Sequence, residues 1–469
     1  MAVRVCRRPP GNHVMYIGSP GPRRVSAFSI SKRVGGLVTT FRNLLEAWPD
    51  NVYEADLVRS SLLGRPITYV TKPEYLCTLL KDEAHKLVRD QAMSRALEPA
   101  LGAGLLTSDG QVWQAQRRVV APAFRPERVR TFIPAIVEAA ERTLRRWQVN
   151  SRESVIDLQA EMMRTSFDAI IAMIVSDEGG IDSRAFGAAM DTYLGQTNWK
   201  MAFGIAGAPG WFPHPGSLAG KHAARSLRSM VSEVIQQRRR RGHVGNDLLG
   251  TMMKASDPET GSTFDDQWLI DNLLTFVMAG HETTALVIAW TLRLIAAHPE
   301  IRQRILDEIA NSSAALADPL AVDQLGYTKQ VIFETMRLFP PAALLVRRTT
   351  DSIRLGDVHI AADQSIHIPV YALHRHRRFW DDPDTFDPDR FDQARQQARH
   401  RFTFLPFGAG RRVCVGMGMA ITECLVVLAT LLPHVDLVPL QPTLPQTHLR
   451  VTLRPVGGLP VLLRHRSNA

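Results

Sequence analysis

Between residues 407 and 416 the chain reads Phe407-Gly408-Ala409-Gly410-Arg411-Arg412-Val413-Cys414-Val415-Gly416, and an apolar run from Met417 to Leu432 follows. One cysteine is thus framed by glycines and arginines immediately ahead of a helix-forming segment. Gly410 and Gly416 permit tight turns and close approach of the backbone to a flat object. Arg412 places a permanent positive charge beside the sulfur. A single cysteine more often behaves as a small buried hydrophobe, but that role leaves the surrounding glycines and arginines without a purpose. The segment therefore requires a fold that presents a lone thiolate to a flat anionic group, and haem is such a group.

The chain has 469 residues, 45% of them apolar, which is ample for a large core. No repeat with a period of about 20 to 50 residues is visible, and no Pro/Gly-rich stretch has the length of a linker. Residues 45–469 are accordingly expected to form one domain. Residues 1–44 carry Arg4, Arg7, Arg8, Arg23, Arg24, Lys32, Arg33 and Arg42 with no acidic residue, along with Pro9-Pro10 and Pro20-Gly21-Pro22. That composition reads as a basic tail. No apolar run near the N-terminus has the length of a bilayer span or of a secretory signal core, so no transmembrane anchor is expected. Cys6, Cys77, Cys414 and Cys424 show no C-x-x-C spacing, which argues against a disulfide framework and a zinc site and fits a reducing cytoplasm. A net charge of +10 raises the question of nucleic acid, but the basic residues are dispersed and no recognition motif accompanies them. The densest run, Arg238 to Arg241, precedes Gly242 at the end of a segment carrying Met230, Val231, Val234 and Ile235. Cations there complement a helix dipole, and Gly242 suits the terminating turn.

Apolar residues recur at helical spacing through most of the chain after residue 125, as in Phe132, Ile133, Ile136, Val137, Ala140 and Leu144. Strand-like segments are fewer: Ile67–Val70, Ile353–Leu355, His367–Val370 and the region Leu449–Leu463. The expected class is mainly α with a smaller β region assembled from distant parts of the chain. The longest helix candidate runs from Asp266 to His298, where Pro299 intervenes, and spans about 50 Å. Its middle, Phe276-Val277-Met278-Ala279-Gly280-His281-Glu282-Thr283-Thr284-Ala285, interrupts an apolar rod with polar groups. Buried polar groups are costly without a partner or a task. A threonine can also bond back to the carbonyl one turn earlier and simply bend the helix. The residues alone leave both readings open.

Taken together these segments resemble the cytochrome P450 family over nearly the whole chain from residue 45. Phe407, Gly410, Arg412, Cys414 and Gly416 match its haem-thiolate signature, and Ala279, Gly280, Glu282 and Thr283 match the oxygen-binding groove of its central helix. The resemblance implies the P450 fold, a long central helix over haem with the cysteine-ligand loop beneath. It implies haem b (iron protoporphyrin IX) as cofactor and Cys414 as the axial ligand of its iron. In that likeness Gly280 leaves space beside the iron, Thr283 hydrogen-bonds dioxygen and Glu282 exchanges protons with solvent, which makes the last two the catalytic candidates. His281 and Thr284 lie off the matched positions and read as packing or gating residues.

Glu334 and Arg337 lie three residues apart on a helix that stops at Pro340-Pro341, so they share a face. Ile332, Phe333, Leu338 and Phe339 around them predict burial. The pair matches the family's Glu-x-x-Arg element, with Arg390 as the third member of a structural Arg–Glu–Arg cluster. Trp113 and Arg117, one helical turn apart, resemble the element that grips a haem propionate; by spacing alone they fit a core tryptophan and a solvated arginine better. Arg347 resembles a further propionate contact, with the adjacent Arg348 as competitor. With Arg412, these give three cations for two carboxylates. Met93–Thr107 and Phe203–Gly216 read as mobile apolar segments at the entrance for a lipophilic substrate.

The expected function is that of a soluble, bacterial-type haem-dependent monooxygenase, inserting one atom of O2 into a hydrophobic small molecule such as a fatty acid or terpenoid. No Gly-rich dinucleotide fingerprint and no iron–sulfur cysteine cluster is found, so a ferredoxin or flavodoxin with its NAD(P)H-dependent reductase is the expected electron source. Arg411 and Arg118 each adjoin a matched arginine without being matched, and read as a basic docking face for that donor. One rival is a peroxide-using or isomerising haem-thiolate enzyme, which the intact Glu282 and Thr283 oppose. The other is a non-catalytic haem-thiolate sensor, which consumes no NAD(P)H with any donor.

Overall fold

The computed structural model describes residues 43–466 apart from 63–64, 150–152, 176–180, 207–213, 215, 243–244, 246 and 313–318. The basic segment before residue 43 lies outside the described residues, as do Trp211 and Phe212. Among the described residues, ten helices exceed ten residues: α1 (Gln91–Leu101), α2 (Gly110–Val120), α3 (Ile133–Gln148), α4 (Leu158–Ile174), α5 (Ser183–Ala206), α6 (Ser217–Arg241), α7 (Asp266–Ala296), α8 (Pro299–Asn311), α9 (Gly326–Leu338) and α10 (Met417–Leu431). The apolar spacing after residue 125 becomes α3, whose Ile133, Ile136, Ala140 and Leu144 are buried against α4 and α10. The fold is mainly helical with a smaller β region, as expected from the sequence.

Helix α7 is the axis of the molecule. Asp265 caps it by accepting from the Trp268 amide at 2.8 Å. It is apolar on nearly all sides, the pattern of a helix packed all round, and it touches α4, α6, α9 and α10. By length and composition it could span a bilayer, yet 78% of its apolar window is buried inside the protein. It ends two residues earlier than its pattern suggests, and His298 precedes Pro299 as the entry to α8.

At the end of α6, Gly242 adopts φ +67 and its amide closes the last turn onto Arg239 O. The arginine run before it is not uniformly solvated. Arg238 is buried and bonds Asp247 in bidentate fashion at 2.7 and 2.8 Å.

The strands are β1 (Leu57–Leu62), β2 (Arg65–Val70), β3 (Leu87–Arg89), β4 (Glu153–Asp157), β5 (Leu345–Thr349), β6 (Ile353–Leu355), β7 (Val358–Ile360), β8 (Ser365–Ile368), β9 (Val435–Pro439), β10 (Thr447–Leu449), β11 (Leu453–Pro455) and β12 (Pro460–His465). They form a five-stranded sheet in the order β1-β2-β8-β5-β3, a three-stranded sheet β4-β12-β9, and the hairpins β6-β7 and β10-β11. Strand β8 stops at Ile368 because Pro369 has no amide to donate and Val370 opens a one-turn helix. In the five-stranded sheet Arg89 stands opposite Arg347. That register brings together two arginines far apart in sequence.

The segment following α1 is pinned rather than loose. Ala103 N donates to Asp271 Oδ2 at 2.8 Å, Leu105 N to Asn272 Oδ1 at 3.0 Å, and Gln116 Nε2 to Ala103 O at 2.5 Å. Gly104 allows this close approach, since a Cβ there would lie 2.3 Å from Thr275 Oγ1 on α7.

Candidate active site

The cysteine loop folds as it does because one of its positions admits only glycine. Gly410 sits at φ +70, and a Cβ there would lie 1.7 Å from the carbonyl oxygen of Leu80. Any side chain displaces the loop. The Cys414 amide then closes the loop onto Phe407 O at 2.9 Å. Its sulfur opens onto a cavity of about 370 Å³ that Phe407, Gly408, Val413 and Gly416 also line. Cys414 is exposed in this structure and lines the cavity. Desolvation pushes the thiol pKa up, opposed by the Gly416 amide and by the Arg117 guanidinium. Coordination to a metal ion deprotonates a thiol outright.

Helix α7 supplies Ala279, Gly280, Thr283 and Thr284 to the same cavity. Thr283 Oγ1 donates back to Ala279 O at 2.6 Å. Thr284, off the matched positions in the sequence, also lines the cavity. Gly280 keeps α7 clear of α4, where a Cβ would meet Ile170 Cδ1 at 2.6 Å. Glu282 belongs elsewhere. It is buried beside a second cavity, about 300 Å³, with Asp191, Arg450, Thr452 and Arg454. Its carboxylate accepts from Arg454 Nε at 2.6 Å and from Thr452 Oγ1. Thr452 and Arg454 come from the β10-β11 hairpin region, and no local pattern in the sequence marks them. His281 packs edge-on against Phe167 with ring centroids 5.4 Å apart, and burial lowers its pKa.

Four guanidiniums line the first cavity: Arg89, Arg117, Arg347 and Arg412. Arg412 donates to Ser108 O at 3.2 Å, pairs with Asp109, and lies 4.2 Å over the Trp113 ring. Strand alternation separates the two candidates on β5. Arg347 faces the cavity, whereas Arg348 turns out to pair with Asp363 at 2.5 Å. Burial, and then repulsion from neighbouring arginines, pushes Arg347 down to about 10 and Arg89 to about 9. Arg89 is absent from the sequence reading because a three-residue strand carries no distinguishing pattern. Its Nε is buried without a hydrogen-bond partner among the described residues. A thiol, an apolar slot and four partly buried guanidiniums, one of them with an unpartnered Nε among the described residues, form a donor set that fits haem with its two carboxylates.

Glu334, Arg337 and Arg390 meet beside this region. Arg337 donates to Glu334 at 2.6 and 2.7 Å, and the Asp387 amide adds a bond at 3.0 Å. Arg390 Nε lies 3.5 Å from Glu334 Oε1, a charge contact rather than a hydrogen bond. Arg118 is not a free surface cation, because Asp257 and Glu259 both approach its guanidinium at 3.1 Å. Arg411 is exposed.

The cytochrome P450 family model matches residues 51–459. The chain belongs to the cytochrome P450 family. Among its relatives, cyclooctat-9-en-7-ol 5-monooxygenase of Streptomyces melanosporofaciens is 32% identical over 71% of this chain and 72% of its own. Cytokinin hydroxylase of Arabidopsis thaliana is 29% identical over 85% of this chain and 79% of its own. Against the bifunctional cytochrome P450/NADPH–P450 reductase ALT2 of Alternaria alternata, at 28% identity, the chain spans 40% of the relative's length. The crystal structure of the cytochrome P450DA heme domain matches with a TM-score of 0.78 at 25% identity, covering 88% of this chain and 90% of that one. This P450 is therefore a monooxygenase of the haem-thiolate class, acting with O2 on an organic substrate.

Proposed function

We propose that this P450 hydroxylates a lipophilic small molecule, such as a fatty acid or terpenoid, with haem b as cofactor. Electrons come from a separate ferredoxin or flavodoxin with its NAD(P)H-dependent reductase, and residues 45–469 work as one catalytic unit in the cytoplasm. The observation that carries this reading is a single cavity onto which Cys414, Thr283 and four guanidiniums all open.

Haem, when bound, supplies the binding and reductive activation of dioxygen. Cys414 would hold its iron, Phe407 and Gly280 would flank it, and Arg347, Arg412, Arg117 and Trp113, joined by Arg89, would hold its carboxylates. Thr283 commits its O–H to Ala279 O, so its oxygen lone pairs are available to accept a hydrogen bond from the cavity side. Glu282 stands in the second, polar cavity, where Arg454 and Thr452 hold its carboxylate. Leu105, Phe124, Phe132, Ile170 and Phe276 line the thiolate cavity. They exclude water and favour an apolar substrate. The relatives' names give them different substrates, so the proposed substrate class rests on this lining.

Cys414→Ser tests the assignment. The reduced, CO-bound wild type should show the strongly red-shifted Soret band of a thiolate haem, and the variant should lack it. Retention of that band in the variant removes Cys414 from the site. A screen following the ferric Soret band tests the substrate class, since a lipophile should give a low- to high-spin shift; a shift with polar compounds alone contradicts it.

A further inference from the structure

The cavity arginines differ in what holds them. Arg347 donates to Val346 O at 2.8 Å, and Arg89 Nε is buried without a partner among the described residues. Arg412 pairs with a carboxylate, Asp109. Asp109 also accepts from the Arg89 amide at 3.2 Å, and its charge acts on Arg89 and Arg347 as well. One carboxylate therefore sits among three arginines that repel one another. Helix capping does not account for it: Asp109 occupies the N-cap position of α2, but its side chain makes no capping hydrogen bond.

We infer that Asp109 is a positioning residue that occupies Arg412 and offsets part of the cluster's positive charge, and thereby holds down the reduction potential of the haem. This rests on haem lying in the cavity with its carboxylates toward the arginines. One-electron reduction of a ferric haem adds one negative charge. Nearby cations favour the reduced state and a nearby carboxylate opposes it. Asp109 also competes with the haem carboxylates for the donors of Arg412. Its side chain is 32% exposed and that of Arg412 14%, so solvent weakens the effect without erasing it.

The test is the ferric/ferrous midpoint potential of the holoenzyme, measured by spectroelectrochemistry for wild type, Asp109→Asn and Asp109→Glu. Asparagine keeps an oxygen for the Arg89 amide and removes the charge. At fixed potential the ferrous-to-ferric ratio should rise roughly three- to tenfold in Asp109→Asn, tenfold being about 59 mV positive for a one-electron couple. Asp109→Glu, which keeps the charge, should stay less than about threefold from wild type. A shift below threefold in Asp109→Asn, or one in the negative direction, overturns the inference. So does loss of haem binding in Asp109→Asn with retention in Asp109→Glu, since the ion pair is then structural. A wild type without the thiolate Soret band brings down the cavity assignment itself, which separates that failure from this one.

Discussion

Replacing Arg337 by Met keeps much of the side-chain volume and removes the charge on which Glu334 depends. All of the guanidinium's N–H groups are in use. Nε and Nη2 donate to Glu334 at 2.6 and 2.7 Å, Nη1 to the carbonyls of His374 and Pro383 at 2.9 and 2.6 Å, and Nη2 to that of Thr385 at 2.9 Å. Both side chains of the pair are 0% exposed. Removing one partner of such a pair costs about 3–5 kcal/mol. Each of the three stranded carbonyls adds about 1–3 kcal/mol unless water reaches it. Arg390, 3.5 Å from Glu334, recovers part of the first loss. The net is about 5 kcal/mol or more, comparable with the whole stability of a typical domain at about 5–15 kcal/mol. Arg348→Met is the matched control, because its pair with Asp363 lies at the surface, where solvent screens it. Urea denaturation of the holoenzymes, followed by tryptophan fluorescence and the Soret band, measures both. An Arg337→Met protein within about 1 kcal/mol of wild type refutes the reasoning.

Thr283→Ala should retain haem and substrate binding while electrons divert to peroxide, with product formed per NAD(P)H falling roughly tenfold or more; unchanged coupling means that protons bypass Thr283. Arg411→Glu should slow the first electron transfer from an acidic donor at low salt and flatten its ionic-strength dependence. Arg118→Glu alone should change that rate less, since Asp257 and Glu259 already neutralise Arg118. Stopped-flow reduction across a salt series separates the two, and a wild-type rate in Arg411→Glu removes this face from the docking surface.

The parts of this protein that the sequence alone determined are those whose interacting residues are neighbours in the chain. The cysteine loop needs Gly410 four residues before Cys414, the Glu334–Arg337 pair needs one helical turn, and α7 needs only its own apolar run. Local spacing encodes each of them, because helical periodicity and turn chemistry act over a few residues. Tertiary structure decided the rest. Arg89 reaches the cavity through the pairing of β3 with β5, and the same pairing turns Arg347 inward and Arg348 outward. Glu282 faces away from the cysteine because Thr452 and Arg454, at the far end of the chain, supply donors on the other side of α7. Arg118 loses its free charge to Asp257 and Glu259. In each case the outcome depends on which distant group satisfies a buried charge or hydrogen bond, and that choice is made only when the chain closes around it.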